Sequence, residues 1–564
     1  MQAEFDIPAT MRDGTILRAD VYRPQGDGPW PVLVHRTPYG KQAIGAWLNL
    51  NAVEATLRGY IVVQQDTRGR YSSNGEWLPW AHERDDGYDT VEWAARLEGS
   101  NGKVGMVGQS YTGSTQWSAA VMRPPSLFAI APMVTWSEPT EGLLSRGGAI
   151  ELGLNAWWSL SQSLAQFPKV AQATEELDSL TRATIQEWDG LAVKGYWELP
   201  SGVLPGIVRT GQPDIGIARA LAHPETTAES RVADRYDDVQ VPSLNVAGWY
   251  DVFQQGSIDN YVAMRERGIP TSLVIGPWTH TSLYGLAAGQ TGEVNFGVAA
   301  ATPAGSPSLT TMQLDWFDRW LAAESVESRQ TPNVKIFVMG INQWRDEENW
   351  PLARSIDTPL FLRDGAATDF EGPGPDEGAS SYEYDPTAPV LTRGGALIMA
   401  TEFPNGPADQ AITESRADVL VFTSAPLEDD LEVTGKVRAV LFAASDAQST
   451  DWVVRLCDVE PGGRSINVVD GIIRSTQKAS AISKLTIDLW STSIVFRAGH
   501  RLRVQVTSSN FPRWDRNPNT GESTATAVHM ITAHQSVYHN ADHPSHLLLP
   551  VVPAGASTLN PQSV

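Results

Sequence analysis

Over roughly the first 135 residues, short apolar runs alternate with stretches of mixed polarity. Phe5 to Thr10 and Ile16 to Tyr22 are joined by Asp13-Gly14 and predict a β-hairpin. Pro31 to Val34, Tyr60 to Gln64, Val104 to Val107 and Leu127 to Ala131 predict short buried strands. Between them lie two helical candidates, Ala46 to Arg58 and Asp85 to Leu97. In the second, Val91, Ala94, Ala95 and Leu97 recur at helical spacing. Strand, helix and strand in this rhythm predict a mostly parallel sheet covered on both faces.

From Glu138 to about Val241 the rhythm breaks. Ile150 to Gln166, Glu175 to Asp189 and Ile215 to Leu221 read as helices, without a convincing buried strand, so the segment predicts a helical insertion. The sheet pattern resumes at Ser243 to Ala247 and Thr271 to Ile275, and Met312 to Ala323 makes an amphipathic helix. After Trp350-Pro351, strand-like alternation dominates at Leu360–Leu362, Val419–Thr423, Leu431–Leu441, Trp452–Val459, Ile482–Leu489 and Arg501–Val506. This spacing predicts an antiparallel sandwich or jelly roll. The expected class is therefore α/β, divided into a first sheet part (1–137), a helical cap (138–240), a second sheet part (241–350) and a β-rich domain (351–564).

Composition narrows the partners. The chain of 564 residues is too long for a single core. Its net charge of −23 disfavours nucleic acid and anionic membranes, which would both repel it. Cys457 is the only cysteine, so no intrachain disulfide and no Cys-based metal site is expected. Met1 to Asp13 lacks a signal-peptide pattern and no apolar run is long enough to span a bilayer, so a cytoplasmic protein is expected.

The chemistry starts at Gly108-Gln109-Ser110-Tyr111-Thr112-Gly113, which places one serine on a sharp turn between a strand and a helix. Such a turn holds the hydroxyl clear of the backbone and aims the following N–H groups at whatever it attacks. A structural turn would read the same way, and the commoner elbow has glycine where this chain has Thr112. An activated serine needs a base, and the base needs a carboxylate to fix its tautomer. In the α/β-hydrolase arrangement both follow the nucleophile, at the ends of later strands. Six of the ten histidines lie in the β-rich C-terminal part; of His35, His82, His223 and His280, only His280 follows both Ser110 and a sheet strand, and Asp251 ends the strand before it. Taken singly, Asp251 reads equally as a helix cap and His280 as a structural histidine. For the oxyanion hole, one donor is the backbone N–H of Tyr111. The loop His35-Arg36-Thr37-Pro38-Tyr39-Gly40 offers the Tyr39 phenol as the other, with plain packing as the alternative for that ring.

Together with Met11-Arg12-Asp13-Gly14, Gln65-Asp66-Thr67-Arg68-Gly69, Gly248-Trp249-Tyr250-Asp251, Gly276-Pro277-Trp278-Thr279-His280, Phe337-Val338-Met339-Gly340, Gly406-Pro407-Ala408-Asp409-Gln410 and Ser508-Ser509-Asn510-Phe511-Pro512, these residues resemble the bacterial cocaine esterase family. That family is a branch of the X-prolyl dipeptidyl-peptidase-like serine hydrolases. The resemblance implies an α/β-hydrolase domain with an inserted helical cap and a C-terminal jelly roll. It also implies Ser110 as nucleophile, His280 as base, Asp251 as orienting acid, and Tyr39 hydroxyl and Tyr111 amide as oxyanion donors. No metal or organic cofactor is implied, and a homodimer is left open.

The substrate expected is a small-molecule carboxylic ester. Gln109, Trp136, Trp157, Trp158, Trp249 and Trp278 are candidates for contacting it, and aromatic lining would favour a hydrophobic or aromatic acyl group. The alternatives are an α-amino-acid ester hydrolase or β-lactam acylase, an X-prolyl dipeptidyl peptidase and, from another class, a carbohydrate-binding protein. An amine-recognising relative needs carboxylates near the acyl pocket. Glu138, Glu141 and Glu151 are candidates for that, against the simpler reading that they are solvated helix faces.

Overall fold

The computed structural model describes residues 1–210, 217–284, 289–301, 306–322, 334–476 and 480–555. The two N-terminal runs become β1 (Gln2–Thr10) and β2 (Ile16–Arg23), an antiparallel pair at one edge of a ten-stranded sheet. Next come β4 (Ile61–Asp66), β3 (Trp30–Thr37), β5 (Ser100–Gln109), β6 (Leu127–Met133), and the strands Ser243–Tyr250, Thr271–Thr279, Val334–Val338 and Gln343–Glu347. From β4 to Val334–Val338 every neighbouring pair is parallel. Parallel strands need crossovers, and helices on both faces supply them. Residues alternate between two cores along β3, with Leu33 packed to one face and Val32 and Val34 to the other.

The expected helix Ala46 to Arg58 is broken in two, α1 (Ile44–Asn49) and α2 (Ala52–Leu57). Leu50 is extended, and the Asn51 side chain accepts hydrogen bonds from the N–H groups of Val53 and Glu54, capping the second helix. The break matters for the site, because Asn49 then accepts from the Gln109 N–H at 2.7 Å. α3 (Glu83–Ala95) and α4 (Tyr111–Ala120) pack on the sheet. Helix Leu309–Leu321 covers its other face, and the final residue of that expectation, Ala323, lies outside the described residues.

The insertion contains α5 (Leu152–Val170), α6 (Thr174–Asp189) and a short helix Ile217–Ala222, whose expected first residues lie outside the described ones. A small hairpin, Ser145–Arg146 with Ala149–Ile150, precedes them. C-terminal to the sheet, eleven strands form an all-β domain whose pairs are antiparallel except for one parallel contact, Ala367 with Thr423. Cys457 is buried in it, and desolvation pushes its thiol up to about 12, as suits an inert core residue.

The insertion is bound tightly to the all-β domain. Arg146 donates to the carbonyls of Asp470 and Asp488 and lies 3.7 Å from the centroid of Trp490. Trp514 donates to buried Glu151 at 2.7 Å, and Arg513 stands 3.7 Å from the same carboxylate. At Gly147 (φ 52°) a Cβ would sit 2.0 Å from the Ile472 carbonyl, so no side chain fits there. Among the described residues, no helix is long and apolar enough to cross a membrane.

Candidate active site

Ser110 sits between β5 and α4 with φ 58° and ψ −126°, a conformation L-residues rarely adopt. The strain is held by neighbours. The Ser110 N–H donates to the Met133 carbonyl at 2.9 Å, and its own carbonyl accepts from Thr135 Oγ1 at 2.9 Å. Gly108 (φ 138°) has no room for a Cβ, which would fall 2.2 Å from Thr112 Oγ1. Thr112 in turn donates to the Gln109 carbonyl at 2.7 Å, so the threonine that departs from the commoner elbow ties the turn together.

Asp251 and His280 are brought together by sheet register. Tyr250 and Thr279 are partners in the parallel ladder, and the two candidates are the residues that immediately follow these strand ends. His280 Nδ1 lies 2.6 Å from Asp251 Oδ2, while Asp251 Oδ1 accepts from the Phe253 N–H at 2.7 Å. Asp251 is completely buried. A carboxylate can only accept here, so the contact suits the His280 tautomer with its proton on Nδ1, which leaves Nε2 for the serine. The Phe253 ring packs edge-on against the imidazole at 5.3 Å.

Ser110 and His280 open into one cavity of about 340 Å³. The Tyr39 side chain lines it as well, and its hydroxyl accepts from Trp158 Nε1 at 3.3 Å. Desolvation pushes the Tyr39 phenol up to about 12. Tyr111 begins α4, where first-turn N–H groups have no partner within the helix. Its phenol points away, donating to Glu83 at 3.0 Å and accepting from the Trp80 N–H at 2.8 Å. Glu83 also pairs with buried Arg36 at 2.8 Å. This chain of bonds fixes the residue whose amide follows the serine.

The structure sorts the six candidate contact residues. Gln109, Trp136, Trp157 and Trp158 line the cavity. Trp249 and Trp278 do not: both are core residues. The Trp249 indole donates to the Phe337 carbonyl and that of Trp278 to the Ala300 carbonyl, both at 2.7 Å. They lie on the sheet strands themselves, so their rings pack into the sheet's own cores. Two further aromatic residues of the wall, Trp80 and Phe253, were not expected. Phe253 stands two residues after Asp251, and that nearness was a usable signal. Trp80 has none, because it reaches the wall only by stacking on Tyr111 and Trp158.

No Asp, Glu, Lys or Arg among the described residues lines this cavity. Of the candidate carboxylates, Glu138 pairs with Arg231 at 2.7 Å and Glu151 is held by Trp514. Neither these two nor Glu141 reaches the cavity.

Residues 13–282 match the X-Pro dipeptidyl-peptidase (S15) family, and residues 327–548 match the X-Pro dipeptidyl-peptidase C-terminal non-catalytic domain. Cocaine esterase from Rhodococcus sp. is 37% identical over 97% of this chain and 98% of its own length. The chain belongs to the cocaine esterase family of X-Pro dipeptidyl-peptidase-like serine hydrolases. A putative serine esterase of Mycobacterium bovis is 24% identical, covering 96% of this chain and 94% of its own. Among solved structures, an α-amino acid ester hydrolase has a TM-score of 0.76 at 24% identity, covering 98% of this chain and 96% of that one. An aminopeptidase from a Thaumarchaeota archaeon has a TM-score of 0.79 at 23% identity with the same coverage. These two likenesses establish the fold that the cocaine esterase family shares with them. Membership in the family accounts for the sheet with its helices and the all-β domain together.

Proposed function

We propose that this serine ester hydrolase uses Ser110 as nucleophile, His280 as general base and Asp251 as its orienting acid, and that it prefers esters with a neutral, hydrophobic or aromatic acyl group. The division of the chain at 138, 241 and 351 belongs to the same proposal. The observation that carries the triad is the 2.6 Å Asp251–His280 contact at adjacent strand ends, with His280 and the strained Ser110 facing one cavity.

The steps follow from these positions. Ser110 Oγ bonds to the ester carbonyl carbon while its proton passes to His280 Nε2. The carbonyl electron pair moves to oxygen, which rests on the Tyr39 hydroxyl and the Tyr111 N–H. As this oxygen reforms the carbonyl, the C–O bond to the alcohol breaks and the alcohol takes the proton from Nε2. Water then repeats the sequence on the acyl-enzyme and releases the acid. Asp251 holds the imidazole and stabilises it when charged.

Substrate class rests on the uncharged wall. An α-ammonium would enter without a carboxylate to meet it, and burying an unpaired charge is costly. Trp136, Trp157, Trp158 and Phe253 instead offer flat apolar faces. Ser110→Ala is expected to abolish hydrolysis of 4-nitrophenyl phenylacetate and labelling by a fluorophosphonate, with the fold intact. Retained turnover would refute the nucleophile. A strong preference for the α-amino analogue of that ester would refute the neutral acyl group.

A further inference from the structure

Arg70 is fully buried, and among the described residues its guanidinium donates only to neutral acceptors. Its Nε donates to the Pro38 carbonyl at 2.7 Å. The terminal nitrogens donate to the Gln162 carbonyl at 3.2 Å, Gln166 Oε1 at 2.9 Å and Gln162 Oε1 at 3.0 Å. The Trp77 ring lies under it, 4.1 Å from the guanidinium carbon to the ring centroid. The buried Arg36 and Arg513 each have a carboxylate partner, Glu83 and Asp470. Among the described residues, no carboxylate stands at ion-pair distance from Arg70. The nearby Asp66 is engaged by Lys41.

An unneutralised buried cation is expensive and leaves a positive potential in a low-dielectric region. Tyr71 and Tyr39 both lie within its influence, and it draws the Tyr39 phenol down against the larger effect of burial. Its anchors are also telling. Pro38 immediately precedes Tyr39, and Gln162 is one helical turn beyond Trp158, whose indole bonds the Tyr39 hydroxyl. One side chain thus spans the oxyanion loop and the helix that leans on it.

We propose that Arg70 is a positioning residue of the oxyanion site: it clamps the Tyr39 loop to α5 and supplies, through Tyr39, the positive potential that the tetrahedral oxygen meets. This rests on Tyr39 being an oxyanion donor. Negative charge develops at that oxygen only during reaction, so the contribution favours the transition state over the bound ester.

The test compares Arg70→Met, Arg70→Gln and Arg70→Lys, alone and with Tyr39→Phe. It reads kcat, KM, thermal midpoint and inhibition by phenylboronic acid, whose serine adduct is a tetrahedral anion. Arg70→Met is expected to lower kcat about 10- to 100-fold, to change KM little and to weaken boronate inhibition by a similar factor. Arg70→Lys keeps the charge and recovers most of kcat. In the Tyr39→Phe background the loss shrinks, because the two residues act together. Should Arg70→Met fail to fold, Arg70→Gln carries the neutral arm, since it still reaches the Pro38 carbonyl. A loss confined to KM or thermal midpoint, an unchanged boronate affinity, or the same loss with and without the Tyr39 hydroxyl overturns the proposal. A full rate in Tyr39→Phe alone refutes the oxyanion assignment instead, so the two failures are told apart.

Discussion

The indole of Trp158 donates to the Tyr39 hydroxyl across 3.3 Å, so a residue of the insertion holds one of the groups that face Ser110. The phenol oxygen accepts that bond, so its own proton stays free to be donated elsewhere. Trp158→Phe keeps an aromatic ring against Trp80 and Tyr111 but removes the donor. A fall in kcat of about 3- to 10-fold with KM nearly constant is expected, the size of one neutral hydrogen bond. Steady-state kinetics on an aryl ester checks it, and an equal rate would show that the bond does not serve the reaction.

Tyr39→Phe removes the hydroxyl altogether. Loss of one oxyanion donor costs roughly 100- to 1000-fold in kcat, and the ring itself still fills the wall. Stopped-flow measurement of acylation gives the factor directly, and a thermal midpoint close to that of the parent separates it from misfolding.

Asp251→Asn leaves the cap on the Phe253 N–H available to the side-chain oxygen but presents His280 with an amide. The imidazole then loses the acceptor that fixes its tautomer. The expected loss in kcat is about 10⁴-fold. Retention of more than a tenth of the activity would remove Asp251 from the triad.

The alkaline limb of the rate profile follows from the Tyr39 environment. Desolvation raises this phenol to about 12, so the neutral, donating form persists below that pH. The kcat/KM profile is therefore expected to stay free of a tyrosine titration near 10. A break there that disappears in Tyr39→Phe would contradict the burial.

His35 predicts behaviour in acid. It is buried, neither ring nitrogen has a hydrogen-bond partner among the described residues, and burial lowers it to about 4. The unfolded chain takes up its proton near 6.5 and the folded one only near 4, so stability is present above 6.5 and drains as pH falls between them. The difference is on the order of 3 kcal/mol. His35→Leu is expected to flatten that slope in chemical denaturation while costing little at pH 7, because it removes two unpaired polar atoms. An unchanged slope would assign acid lability elsewhere.

Much of this was readable in the chain. Ser110, Asp251 and His280 could be picked out because each follows a short apolar run, and parallel strand ends lie together in such sheets. Other features depended on contacts that local pattern does not encode. The helix expected over Ala46 to Arg58 split because Asn51 capped a new start, and no periodicity marks that choice. Strand Ser465–Thr476 was missed because Asn467, Asp470 and Gly471 interrupt its alternation. Asp470 is there to meet Arg146 and Arg513 from distant segments. Trp249 and Trp278 follow the same aromatic pattern as the cavity tryptophans, yet their strand positions turn the rings into the core. Arg70 carried no signal at all, since an arginine in a loop reads as solvated until its neighbours are known.

The Arg146 hairpin, with Gly147 pressed on the Ile472 carbonyl and Glu151 held by Trp514, makes the β-rich half a foundation for the wall over Ser110. Chimeras that graft a foreign insertion onto this scaffold would have to carry the matching face of the β-rich half with it. Deleting that domain to obtain a smaller catalyst would strip buried Arg146 and Glu151 of the partners that Asp470, Asp488 and Trp514 supply.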